Sequence, residues 1–226
     1  MTWQPPEGMD EYLKPTELCD SDNEEVKKKA QELTKDADNP KQAAIGIFHF
    51  VRDQIPFGTD RSDTRASDTL RIGTGHCCPK ANLQVALLRS IGIPARYHQV
   101  VLSKEVLKGI LPDRIHRMLP EKIWYHPWCE CYLSGKWISC ESLFDKALYD
   151  AAVRKEVLSK EQMPMIDWDG ENDLTMVGSW MLEDKGTFSS LDDVFREAES
   201  EHNLPGFIAG IARYFSNRYI SKLRKS

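Results

Sequence analysis

A chain of 226 residues with 41% hydrophobic and 29% charged residues has the make-up of an ordinary soluble globular protein. Its net charge of −5 argues against nucleic acid as a partner, and no apolar run approaches the roughly 18 residues of a membrane span. The opening MTWQPPEGMDEYLKP has neither the basic nor the apolar region of a secretion signal, so a cytoplasmic protein with reduced thiols at its six cysteines is expected.

The first 22 residues mix Pro, Gly, Asp and Glu with Trp3, Tyr12 and Leu13, the pattern of an irregular arm packed on a body. Asp22-Asn23 then caps EEVKKKAQELTKDA, where Val26, Ala30 and Leu33 recur at helical spacing, with acids ahead of lysines as the helix dipole favours. Asn39-Pro40 breaks the run. KQAAIGIFHFVRDQI predicts a second helix with Ala44, Ile47, Phe48 and Val51 on its buried stripe, ended by Pro56. GTDRSDTRASD reads as polar loop. From Cys78 to Ile91 apolar residues cover most of the circumference, which marks a buried, central helix. Pro79 sits in its first turn, and Gly92 with Pro94 stops it.

ARYHQVVL predicts a strand, and residues 104–120 a helix or insertion. KIWYHPWCECYL and KWISCES are aromatic and β-branched runs joined at Ser134-Gly135, a hairpin, with strands over 123–133 and 136–141. LFDKALYDAAVRKEVL returns to helix, and 161–190 reads as irregular and acidic. SLDDVFREAES and LPGFIAGIARYFSNRYISKL predict two closing helices. The second is expected to dock through Leu204, Ile208, Ile211 and Phe215, with cations at its C-terminal end. DWDGENDL, at 167–174, resembles a calcium loop but has Gly170 fourth where that pattern needs it sixth, so a solvated acidic loop is expected.

Chemistry concentrates in GTGHCCPKANLQ, residues 73–84. A thiolate is the nucleophile, and the unpaired N–H groups of a helix N-terminus stabilise it. Cys77 falls at about the N-cap of the central helix, where its thiol can attack a carbonyl while its own N–H helps hold the oxyanion. Cys78 is expected to point roughly 100° away and to pack. His76 either tunes Cys77 or is an exposed neighbour.

The hairpin selects a base. With Ser134-Gly135 as a two-residue loop, Leu133 faces Lys136 and pairing runs back through 132–137, 130–139 and 128–141. His126, Trp128, Glu130, Trp137 and Glu141 then share one face, with Glu141 diagonal to His126. A carboxylate there takes a hydrogen bond from one imidazole nitrogen and leaves the other for a thiol. The same register puts Cys129, Cys131, Ile138 and Cys140 on the opposite face. Those thiols read first as small buried hydrophobes, with a metal site or a Cys129–Cys140 link as alternatives.

These segments resemble the transglutaminase-like superfamily, whose core is that of papain-like cysteine enzymes. The family's first block, roughly G-x-C-x-x-x-A-x-L followed by ALLRxxGIPAR, is matched from Gly75 to Leu83 and from Ala86 to Arg96. Its second, HxWxExYLxGxW, is matched by HPWCECYLSGKW from His126 to Trp137, and its third, an acid four residues later, by Glu141. FHFVRDQIPF resembles the helix ahead of the nucleophile, so the likeness covers residues 40 to 150 or so.

The resemblance implies an α+β fold with a papain/transglutaminase-like core, a nucleophile helix on an antiparallel sheet, and extra helices at both termini. It implies a catalytic triad of Cys77, His126 and Glu141 that passes through a thioester on a peptide, protein or small amide substrate. No cofactor and no metal are expected. Two positions depart from the pattern. The family acid is usually Asp where this chain has Glu141, with Asp145 as a fallback orienter, and the family shows no preference for a second thiol at Cys78. The second oxyanion donor is unassigned, with Gln54 a weak candidate. Water resolving the thioester gives a peptidase or amidase, the favoured outcome because water needs no dedicated site; an amine gives a transglutaminase. A non-catalytic binding module on the same fold is the rival of another class. One domain over 1–226 is expected, with its core at about 40–150 and a helical elaboration at about 160–226.

Overall fold

The computed structural model describes residues 3–201 and 206–226. Asn23 caps α1 (Glu24–Leu33) by accepting from the Glu25 N–H, and Val26 and Ala30 form its buried side. Asn39 caps α2 (Pro40–His49) through the Gln42 N–H, and that helix runs on as a π-helical turn, Phe50–Gln54. A short helix, α3 (Ala66–Ile72), stands where a polar loop is expected. Its buried residues are Ala66, Ser67 and Thr69, too small and too polar to leave an apolar stripe in the sequence. It ends on Gly73, whose φ of 74° an L side chain rarely adopts.

The central helix, α4 (Cys77–Ser90), is buried from Cys78 to Arg89. Four of those buried side chains are polar, and each ties α4 to a different part of the chain. Lys80 donates to the carbonyls of Val51, Arg52 and Ile55 at the end of the π turn. Asn82 donates to Leu18 O and accepts from the Tyr97 hydroxyl, both within 2.8 Å. Gln84 donates to Cys140 O (2.9 Å) and accepts from Ser142 (2.6 Å). Arg89 donates to the carbonyls of Lys14, Ala95 and Ser189. The buried helix is thereby oriented along its length by directional bonds as well as by apolar packing.

β1 (Ala95–Ser103) is followed by a 3-10 turn (Lys104–Leu107) and α5 (Asp113–Met118), then β2 (Lys122–Leu133) and β3 (Lys136–Ser139). α6 (Lys146–Arg154), β4 (Met181–Phe188), α7 (Asp192–Glu201) and α8 (Gly206–Arg224) complete the chain. The four strands make one antiparallel sheet in the order β3-β2-β1-β4. Helices plus a single antiparallel sheet under a central helix is the α+β arrangement expected. The hairpin has the expected register, 133–136, 132–137 and 130–139, and its two loop residues both have positive φ, Ser134 at 51° and Gly135 at 86°. That is the mirror-image turn that matches strand twist. The ladder stops at Ser139 rather than Glu141. Cys140 N still donates to Cys129 O (2.9 Å), after which Glu141 N turns away to Leu174 O (3.0 Å).

Two expectations are corrected. β4 lies inside the stretch read as irregular. Seven of its eight residues are exposed, because an edge strand held by backbone bonds to β1 alone has no buried face to print an alternation. On α8, Leu204 and the Ile208 side chain lie outside the described residues, while Ile211 and Phe215 are 53% and 56% exposed. The buried side is Ser216, Ile220 and Leu223. Polar ties set that rotation: Asn217 exchanges hydrogen bonds with the Thr59 backbone, and Arg224 holds Asp145 at 2.8 Å. The acidic loop is likewise engaged structurally, with Asp169 accepting from the N–H groups of Glu171 and Asn172 and Asp173 from that of Ser139. Among the described residues no helix is long and apolar enough to cross a membrane.

Candidate active site

α4 begins at Cys77 itself, so the cysteine is the first helical residue and His76 is the N-cap, one place on from the sequence reading. His76 makes no side-chain capping bond, which leaves the first-turn N–H groups of α4 unclaimed by a cap. Cys77 is half-buried, and its Sγ lies 3.5 Å from His76 Nδ1, 3.9 Å from Cys78 Sγ and 3.8 Å from Tyr125 O. The two sulfurs therefore meet, although successive helical residues point about 100° apart. At the start of a helix, side chains lean back over the N-terminus, and there both thiols find the same Tyr125 carbonyl.

His126 and Glu141 are buried and joined by a 2.8 Å hydrogen bond between Nε2 and Oε1. That bond leaves Nδ1 of the imidazole for the thiol. The other oxygen of Glu141 accepts from the N–H groups of Met176 (2.5 Å) and Val177 (3.2 Å). The segment around 174–177 was not singled out in the sequence, because backbone donors leave no residue-type signature.

The electrostatics follow from these contacts. The hydrogen bond from Cys78 draws the Cys77 thiol well below its ordinary range; burial opposes this, and the charge and hydrogen bond of His126 and the bond of His76 add to it. Burial would lower His126, but the Cys77 thiolate and then Glu141 outweigh it and push the imidazole up to about 10. Cys78 moves the other way, well above its ordinary range, held protonated by the neighbouring Cys77 and by burial. A thiolate–imidazolium pair with a thiol donor beside it is the charge state these shifts describe.

Trp128 lies beside His126, with ring centroids 6.3 Å apart. It is held by its own N–H on Ser139 Oγ (3.1 Å) and by His98, which stacks on it at 4.5 Å. His98 in turn bridges Glu130 and Asp184 at 2.8 Å each, and Arg96 donates to the far oxygen of Glu130 at 2.7 Å. Glu130 faces Arg96 across β2 and β1, and Asp184 reaches His98 from β4, in a register that no one strand reveals alone. A cavity of about 10 Å³ lies between Cys77, Gln84, Trp128, Glu141 and Ser142, about the space of one water.

The remaining predicted residues separate from this group. Asp145 accepts from Arg224 and from the N–H groups of Phe57 and Leu148, so it is a helix cap and clamp rather than a partner of His126. Gln54 is exposed at the end of the π turn. Cys129, Cys131 and Cys140 are fully packed thiols on the other side of β2, each pushed up, with burial acting on all three. Among the described residues, the His, Cys, Asp and Glu side chains whose donor atoms gather within 4.8 Å are instead His76, Cys77 and Cys78.

A cysteine on the first turn of a buried helix, set over an antiparallel sheet that carries a histidine, is the architecture of the papain-like class. Residues 27–142, just over half of the chain, match the family model of the transglutaminase-like superfamily, and the chain belongs to that superfamily. Among solved structures it is similar to a candidate cysteine protease from Cytophaga hutchinsonii, at 20% identity and a TM-score of 0.54, over 83% of this chain and 49% of the other. It also aligns with a candidate protease from Parabacteroides distasonis (17% identity, TM-score 0.39, 59% of this chain and 25% of the other). Red sea bream transglutaminase aligns at 17% identity and a TM-score of 0.37, over 59% of this chain and 26% of its own. The chain thus spans about half the length of the first of these and about a quarter of the other two. Comparison with curated proteins finds no match.

Proposed function

We propose that the chain is a thiol acyl-transfer enzyme that hydrolyses an amide or peptide bond, with Cys77 as nucleophile, His126 as acid and base, and Glu141 as the group that orients His126. The observation that carries this reading is the buried 2.8 Å bond between His126 and Glu141, with Cys77 drawn well below its ordinary range in part by the charge and hydrogen bond of that same His126.

In this mechanism the Cys77 thiolate attacks the substrate carbonyl carbon, and the carbonyl electrons move to oxygen. The Cys77 N–H, at the positive end of α4, stabilises that oxyanion. The imidazolium of His126 gives its proton to the leaving nitrogen, the C–N bond breaks, and a thioester remains. His126, now neutral, takes a proton from water; hydroxide adds to the thioester, the C–S bond breaks, and the acid leaves as the thiolate re-forms. Glu141, held by two backbone amides, keeps Nε2 protonated and the ring aimed. Water as the resolving nucleophile needs no further subsite, which favours hydrolysis over transfer to an amine.

Iodoacetamide labelling near pH 6 with peptide mapping tests the assignment. Cys77 is expected to react ahead of the other five cysteines, and His126→Ala is expected to remove that preference. Equal labelling of all six, unchanged by the substitution, would overturn it.

A further inference from the structure

The pair of thiols at the head of α4 has a neighbour that the hydrolytic scheme leaves unused. We propose that His76, Cys77 and Cys78 form a site for a soft, thiophilic cation of the Zn²⁺ type, and that its occupation shuts the active site. A tetrahedral ion with metal–sulfur bonds of about 2.3 Å and metal–nitrogen bonds of about 2.0–2.1 Å requires sulfur–sulfur separations of about 3.8 Å and sulfur–nitrogen separations of about 3.6 Å. The structure has 3.9 Å between the sulfurs and 3.5 Å between Cys77 Sγ and His76 Nδ1, with all three donor atoms within 4.8 Å of one another. Two of the three edges therefore match a tetrahedral ion, and the third, between His76 Nδ1 and Cys78 Sγ, lies within 4.8 Å and is left for side-chain rotation to close. His76 and Cys77 are half-buried rather than sealed, which leaves a path for the ion and a fourth corner for water.

The donor set selects the ion. Thiolate and imidazole suit Zn²⁺, Cd²⁺ and Cu⁺ and do not suit Ca²⁺ or Mg²⁺. Two features oppose any cation here, the positive end of α4 and the imidazolium of His126. A single thiolate would not offset them, whereas two thiolates neutralise a divalent ion, and the second is what Cys78 supplies. Binding displaces the Cys78 proton and takes up the lone pair with which Cys77 would attack. The blocking effect rests on reading Cys77 as the nucleophile; the binding does not.

The test is titration of the reduced full chain with Cd²⁺, whose bonds to thiolate absorb in the ultraviolet. Saturation at one ion per chain is expected, with Zn²⁺ competing and Ca²⁺ having no effect. Cys78→Ser and His76→Ala are each expected to weaken Cd²⁺ by more than the about 10–100-fold that follows loss of an outer-shell partner. Bound Zn²⁺ should also protect Cys77 from iodoacetamide. His76 is half-exposed, so its variant keeps the test open if the buried Cys78 variant folds poorly. Absence of saturable binding, or binding that survives the His76 substitution, would overturn the site. Selective labelling of Cys77 without metal binding removes the metal site alone. Tight binding with indiscriminate labelling removes the nucleophile assignment and leaves the metal site standing.

Discussion

At Glu141 the two carboxylate oxygens have separate partners, His126 on one side and two backbone amides on the other. That arrangement could not be read from the sequence, which offers only an acid four residues after Trp137. What the sequence does carry is the face shared by His126, Trp128 and Glu130, because the turn fixes the register and alternation does the rest, whereas Glu141 lies beyond the end of the ladder. Cys78 packs in the core as expected, but its thiol turns toward Cys77 rather than away, because the angular step of an ideal helix says little at its first two residues. With the sulfurs 3.9 Å apart, the Cys78 thiol donates to the Cys77 thiolate, and removing it should make that thiolate less favourable. We therefore expect Cys78→Ala to move the pH profile of Cys77 alkylation upward, toward that of a free thiol. A profile identical to that of the parent chain would show that Cys78 only packs.

Among the elements, α4 and the hairpin were legible because each has a strong local signature, a run of apolar residues between Pro79 and Gly92 and a two-residue turn between aromatic strands. α3 and β4 were not, because neither buries a periodic apolar face. The same divide explains Asp145. By sequence it is an acid close to the hairpin; in the fold it receives four hydrogen bonds, from Arg224 twice, Phe57 N and Leu148 N, and so joins α6 to α8 and to the strand-like segment at Phe57. Its carboxyl is held below its ordinary range, burial working against this and Arg224 outweighing it. Hydrogen bonds to a charged group are worth about 1.5–3 kcal/mol each, so Asp145→Asn should lower the unfolding free energy obtained from urea melts by an amount of that order. The pH profile of Cys77 alkylation should not move. A shifted profile with unchanged stability would return Asp145 to the role of orienter.

For the molecule as a whole, the thiolate–imidazolium pair makes stability depend on pH in a way that neither group produces alone. His126 titrates at about 10 in the fold against 6.5 when free, so its contribution is full below pH 6.5 and is lost as pH rises through 10. Cys77 lies well below its free value of 9.0, so its contribution is full above pH 9 and is lost as pH falls through the folded value. Between 6.5 and 9 the two slopes cancel, because folding moves a proton from sulfur to nitrogen with no net uptake or release. Above pH 9 the unfolded thiol has already lost its proton while the folded imidazolium keeps one, and stability falls by about 1.4 kcal/mol per pH unit. Below 6.5 the unfolded histidine gains a proton that the folded pair already carries, while the folded thiolate stays bare, and stability falls toward acid. Urea melts of the chain and of a Cys77→Ala/His126→Gln variant, subtracted at each pH, isolate this term from the other titrating groups. The difference should be flat from 6.5 to 9 and decline on both sides. A decline that begins at 6.5 and continues smoothly to 10 would mean that His126 is charged beside a protonated thiol, and Cys77 would then need a base before it could attack.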